Sequence, residues 1–229
     1  LVELRLREGA SFAATAAEVR RFESVLAADA DVKGYTAYTG AGTPRFFLSL
    51  APELPNPGYA QFVVQTAGIP EREALRKRLM ALFDAGEAFP EVRGRVQRME
   101  FGPPVGFPVQ FRVIGPDAQQ VRDIAHRVRD IVRGSPLVRD THLDWDEQVR
   151  TVRVQVDQDQ ARLLGLSSAE VSNIVQAVLS GVPVTQIRRG EELIDVVLRA
   201  APDERLSIEQ LQDLNLPTPS GNTVPLSQI

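Results

Sequence analysis

V-R-T-V-R-V-Q-V-D-Q-D-Q-A-R-L-L-G-L, residues Val149 to Leu166, decides how the chain divides. Val152, Val154 and Val156 alternate with Arg153 and Gln155, the period of two of a half-buried β-strand. The alternation stops at Asp157, whose carboxylate suits the free N–H groups that open a helix. Gly165 suits the left-handed residue that ends one, so a short helix is expected over Gln158 to Leu164. Ser167-Ser168-Ala169-Glu170 then reads as a capping box, with Val171, Ile174 and Val178 following at helical spacing. The chain therefore leaves a sheet abruptly and starts a new small unit.

Upstream, the pattern predicts a strand at Val2 to Arg7, a helix with Phe12, Ala16, Val19, Phe22 and Leu26 on one face, and a strand at Val32 to Tyr38. Strands at Arg45 to Leu50 and Ala60 to Thr66 follow. A helix opened by Pro70 and a strand at Val92 to Met99 complete the series. The order β-α-β-β-α-β with one added strand is the split βαβ arrangement. From Phe107 the pattern begins again, with a strand at Val109 to Val113, a helix through Val121, Ile124, Val128 and Ile131, and strands at Val138 to Leu143 and Val149 to Val156. A shift of 106 positions lays Gly9 on Gly115, Ser11 on Asp117, Phe22 on Val128 and Val32 on Val138. The reading is a duplicated unit whose second copy departs at Asp157. A groove between two such units is a natural ligand site. Both ends fall within strand patterns, so the chain reads as part of a longer one, with the second copy incomplete.

The chain has 229 residues, 43% hydrophobic and 24% charged, as expected of a globular chain with a core. A net charge of −4 and a pI near 5.4 argue against nucleic acid, which requires a basic face. There is no Cys and no apolar run approaching a transmembrane span. No catalytic constellation forms: His126 and His142 have too few companions for a metal site, and Gly40-Ala41-Gly42 lacks the third glycine and following helix of a phosphate loop. Neither enzyme activity nor a cofactor is expected. Trp145, beside Asp144 and Asp146, either stacks a ligand or caps a core. Phe101 and Phe107 either line the groove between the copies or plug their interface.

V-D-Q-D-Q-A-R-L-L-G-L-S, the run Glu100 to Val113 and the terminal Val224-Pro225-Leu226-Ser227-Gln228-Ile229 resemble the periplasmic part of resistance-nodulation-division (RND) efflux transporters, in the C-terminal half. Pro44-Arg45-Phe46 and the Pro52 to Gln61 segment fit the same family. The resemblance implies an α+β fold of two ferredoxin-like porter subdomains, residues 1–104 and 105–157 with 222–229, the second incomplete. Between them, residues 158–221 resemble an inserted docking subdomain. It implies a substrate cleft near Phe46, Glu100, Phe101, Phe107, His142, Asp144 and Trp145, with His142 standing where a relative has Arg. Gly40, Ala41, Gly42, Thr43 and Pro44 resemble the switch loop, here short and without a Phe at its tip. The implied partners are amphiphilic substrates, two further copies in a homotrimer, a periplasmic adaptor and an outer-membrane channel, at the periplasmic face of the inner membrane. Met80 and Met99 are the only methionines, which argues for multidrug and xenobiotic export, and so antibiotic resistance, rather than a metal relay. A stand-alone small-molecule-sensing domain of the same fold is the alternative.

Overall fold

The computed structural model describes every residue except 49, 51, 52, 100, 101, 103–105, 146, 147, 150 and 202–206, and the side chain of 208. It is a mixed α+β chain with antiparallel sheets, in two compact units, Leu1–Thr151 and Val152–Ile229.

The first unit is built on β1 (Val2–Leu6), α1 (Phe12–Ala27), β2 (Val32–Thr39), β3 (Tyr59–Thr66), α2 (Ile69–Ala85) and β4 (Val92–Val96). The strands form one antiparallel sheet in the order β2-β3-β1-β4, so β2 and β4 are its edges. In register, Val2 lies opposite Phe62 and Val96, and Leu4 opposite Ala60 and Gly94. Directly opposed residues share a face, and this face carries the core: Val2, Leu4, Ala60 and Phe62 pack against Val19, Phe22, Leu26, Leu75 and Leu79 of the two helices. Phe22 sits at the centre, its ring 4.9 Å from Phe62 and 5.5 Å from Phe83. Phe12, expected on the buried face of α1, is 55% exposed. Thr15 is buried instead, because its hydroxyl donates to the Pro57 carbonyl at 2.6 Å.

Helix α3 (Ala118–Arg133) is offset from α1 by 106 residues at both ends, and is capped by Asp117 where α1 is capped by Ser11. The strands expected around it are a correction. Val109 to Val113, Val138 to Leu143 and the described part of Val149 to Val156 enter no sheet, and α3 buries none of its residues. Alternation supplies only the side-chain pattern of a strand. A ladder also needs a partner strand, and no described segment of the chain provides one. The strand expected at Arg45 to Leu50 is likewise not formed. The Arg45 guanidinium donates to the carbonyls of Leu48 and Leu50 at 2.9 and 3.0 Å, which folds that segment back on itself.

The second unit comprises α4 (Gln158–Leu163), α5 (Ser168–Leu179), β5 (Val182–Arg189), β6 (Glu192–Leu198), α6 (Ile208–Gln212), β7 (Asn215–Pro217), β8 (Thr223–Pro225) and a final 3-10 turn. The expected stops and starts are present. Asp157 accepts from the N–H groups of Asp159 and Gln160, and Gly165 has φ +74°. Ser167 and Glu170 bond reciprocally, each side chain to the other's backbone. Ala161, Leu166, Val171, Leu216 and Leu226 form this unit's small core. The β5–β6 hairpin is two strands alone and almost wholly exposed.

Candidate functional site

The sheet face of the first unit away from its helices is polar, because the odd-numbered residues of β1 fall there. Glu3 lies opposite Gln61 and Arg95, and Arg5 opposite Tyr59 and Arg93. The described part of the segment from Gly40 to Gly58 is tied over this face. Gln61 accepts from the Thr43 N–H at 2.8 Å, with both residues buried, and Arg5 donates to Glu53 at 2.8 Å. The Arg5 guanidinium also lies 5.0 Å over the Tyr59 ring.

Burial holds the Glu3 carboxyl above its ordinary value of 4.5, partly offset by Arg95 at 3.9 Å. Burial likewise pushes the Tyr59 phenol up. A carboxyl whose folded value is raised favours the folded state below its unfolded value, and that contribution is lost as pH rises through the folded value. Glu3→Gln therefore gains stability over the parent at pH 7, and the gain shrinks as pH falls through the raised folded value and is gone by about 4.5. Urea midpoints of the two proteins across that range measure it; a pH-independent difference would show that Glu3 is not the titrating group.

Around the β4 edge runs a crevice of about 810 Å³. Six guanidinium-bearing residues line it: Arg5, Arg7, Arg76, Arg93, Arg95 and Arg139. The carboxylates among its described lining are Asp84, Glu91 and Asp140. Its apolar surface comes from Met80 and Phe83 of α2, Phe89, and the Phe107-Pro108 segment. The far wall is held by Arg95, whose guanidinium lies 4.1 Å over the Phe107 ring and donates to the Gly106 carbonyl. His142 meets the same ring edge-on at 4.4 Å, and its Nδ1 is 2.8 Å from the Asp140 carbonyl oxygen. Asp140 adopts φ +51°, a left-handed conformation that a short polar side chain tolerates. Arg139 reaches Asp84 of α2 at 3.5 Å.

Of the residues expected at a cleft, Phe107 and His142 are brought together, and Phe107 lines the crevice. Phe46 stands on the tied segment, 53% exposed and 5.4 Å from Phe47. Trp145 is exposed beneath the Arg122 guanidinium, and Asp144 beside it is exposed too. Glu100 and Phe101 lie outside the described residues. Gly40, Ala41, Gly42, Thr43 and Pro44 form the first part of the tied segment. The arginines escaped the sequence reading, although Arg-Gly-Arg in β4 carries the signal: residues two apart on a strand share a face.

The model of the AcrB/AcrD/AcrF family matches residues 1–229, the whole chain. The chain belongs to that family. The AcrB/AcrD/AcrF family is one of RND transporters. An uncharacterized transporter of Haemophilus influenzae is 27% identical over 130 residues, 57% of this chain and 12% of that protein. The cobalt-zinc-cadmium resistance protein CzcA of Cupriavidus metallidurans is 23% identical over 126 residues, 53% of this chain and 12% of its own length. A crystal structure of a heavy metal efflux pump superposes on the whole chain with a TM-score of 0.70 at 20% identity; the chain spans 24% of it. The expectation of a hydrophobe exporter, drawn from two methionines, finds no support in these relatives, two of which are named for metals. Among the described residues there is nonetheless no group of three or more His, Cys, Asp or Glu able to hold a metal ion. No described helix is long and apolar enough to cross a membrane.

Proposed function

We propose that this AcrB/AcrD/AcrF chain is the periplasmic substrate-binding and docking portion of a proton-driven RND efflux pump, and that the β4 crevice receives hydrophobic or amphiphilic compounds. Residues 1–104 are then one split βαβ porter subdomain, residues 105–157 with 222–229 part of a second, and residues 158–221 the docking subdomain. That subdomain meets the other copies of a homotrimer and the outer-membrane channel, while a periplasmic adaptor embraces the assembly. Energy comes from proton flow in a membrane part. The observation that carries the substrate assignment is the lining, in which Met80, Phe83, Phe89 and Phe107 offer apolar area and polar groups stand around it. A second reading, metal export, is favoured by the names of the relatives.

The two readings part in a binding experiment. N-phenyl-1-naphthylamine, an uncharged dye, should bind the chain with enhanced fluorescence. Phe107→Ala should weaken that binding by about tenfold or more, the value of one buried aromatic contact. Cobalt and zinc ions should give no saturable heat in calorimetry. Saturable metal binding together with dye binding indifferent to Phe107→Ala would establish the metal reading instead.

A further inference from the structure

The charge of the crevice narrows its ligand. Its six arginines face three carboxylates, and each carboxylate already has a partner. Asp84 is 3.5 Å from Arg139, Glu91 is 3.5 Å from Arg7, and Asp140 is 3.8 Å from His142. Two of the three carboxylates are thus taken by arginines, and the third stands beside an imidazole. Arg5 is held by Glu53 at 2.8 Å and Arg95 by the Phe107 ring. Arg7 and Arg139 are held loosely. Both are largely exposed, and their 3.5 Å ion pairs are of the kind that contributes little in water. Exchanging such a partner for a ligand's acid group costs little and gains the parallel two-bond geometry that guanidinium makes with carboxylate or sulfonate. Beside these heads lies the apolar surface of Phe83 and Phe107.

We infer that the β4 crevice selects amphiphilic organic anions, with the acid group taken by Arg7 and Arg139 and the apolar body laid on Phe83 and Phe107. The inference rests on the reading of the crevice as the substrate site and names the charge class that site prefers.

Two dyes of one skeleton test it. 8-Anilinonaphthalene-1-sulfonate differs from N-phenyl-1-naphthylamine by the sulfonate alone. The sulfonate dye should bind the chain about tenfold tighter or better, the worth of one charge-assisted pair of bonds. The preference should narrow as salt is raised, because exposed charges are screened. Arg7→Glu with Arg139→Glu, at exposed positions, should abolish the preference while leaving the circular dichroism spectrum intact. Decanoate should displace the sulfonate dye, and inorganic sulfate at the same concentration should not. Equal binding of the two dyes, both sensitive to Phe107→Ala, would overturn the anion preference and leave the crevice standing. Binding of neither dye would remove both readings. A sulfonate preference that survives the double charge reversal would place the anion elsewhere and overturn the assignment to Arg7 and Arg139.

Discussion

Phe22→Ala is expected to remove about 3–5 kcal/mol from the stability of the first unit, the usual cost of truncating a buried aromatic core residue. The Phe22 ring is fully buried and touches three others, those of Phe62, Phe83 and Phe89, at centroid separations of 4.9, 5.5 and 5.8 Å. These rings arrive from β3, from α2 and from the turn before β4. Collapse of the cavity would have to move all three at once, so little relaxation is available. Such a loss is a large share of the roughly 5–15 kcal/mol that holds an ordinary domain together. Hydrogen exchange at the β1 and β3 amides gives the measurement, since it reads this unit apart from the second. Protection unchanged within about 1 kcal/mol would mean that Phe22 is not the hub of the core.

Gly94→Ala is the second. A Cβ built on Gly94 would stand 2.2 Å from Cδ1 of Phe83, inside the ring's van der Waals surface. Phe83 lies on β4 at this point because the strand offers no side chain there. The ring cannot retreat freely, since it stacks on Phe22 at 5.5 Å and tilts against Phe89 at 5.7 Å. The added methyl should cost about 1–3 kcal/mol by overpacking. A double-mutant cycle with Phe83→Leu supplies the check. Because the two residues collide directly, the cost of the alanine should fall by more than about 0.5 kcal/mol once the ring is gone. Strict additivity would show that the glycine serves the backbone and not the ring. Phe83 also lines the crevice, so Gly94→Ala should disturb the binding of the uncharged dye as well.

The helices were legible in the sequence to the residue or nearly so. Ser11, Asp117, Asp157 and Ser167 are side chains that bond the first free N–H groups of a helix, and that chemistry is local. The order β1-α1-β2-β3-α2-β4 was legible too, apart from the extra strand expected at Arg45 to Leu50, because one face of each strand is apolar and the register follows from that face. What failed was pairing. Val152 and Val154 flank Arg153 just as Val2, Leu4 and Leu6 flank Glu3 and Arg5, yet they are exposed and join no ladder. Alternation is a property of one segment, and a sheet is a property of two. The crevice was half legible. Phe107 and His142 could be placed from their neighbourhood in sequence. Their meeting with Arg95 depends on where the chain goes after β4, which no local pattern encodes.

The bond between Thr43 and Gln61 sets a tempo. Both groups are shielded from water, so parting them strands a donor and an acceptor together, at a cost of about 1–3 kcal/mol for each group left bare. The near end of the segment that crosses the polar face therefore keeps time with the sheet. Thr43 leaves Gln61 only in rare, activated excursions, far slower than the nanosecond flicker of an untethered surface loop.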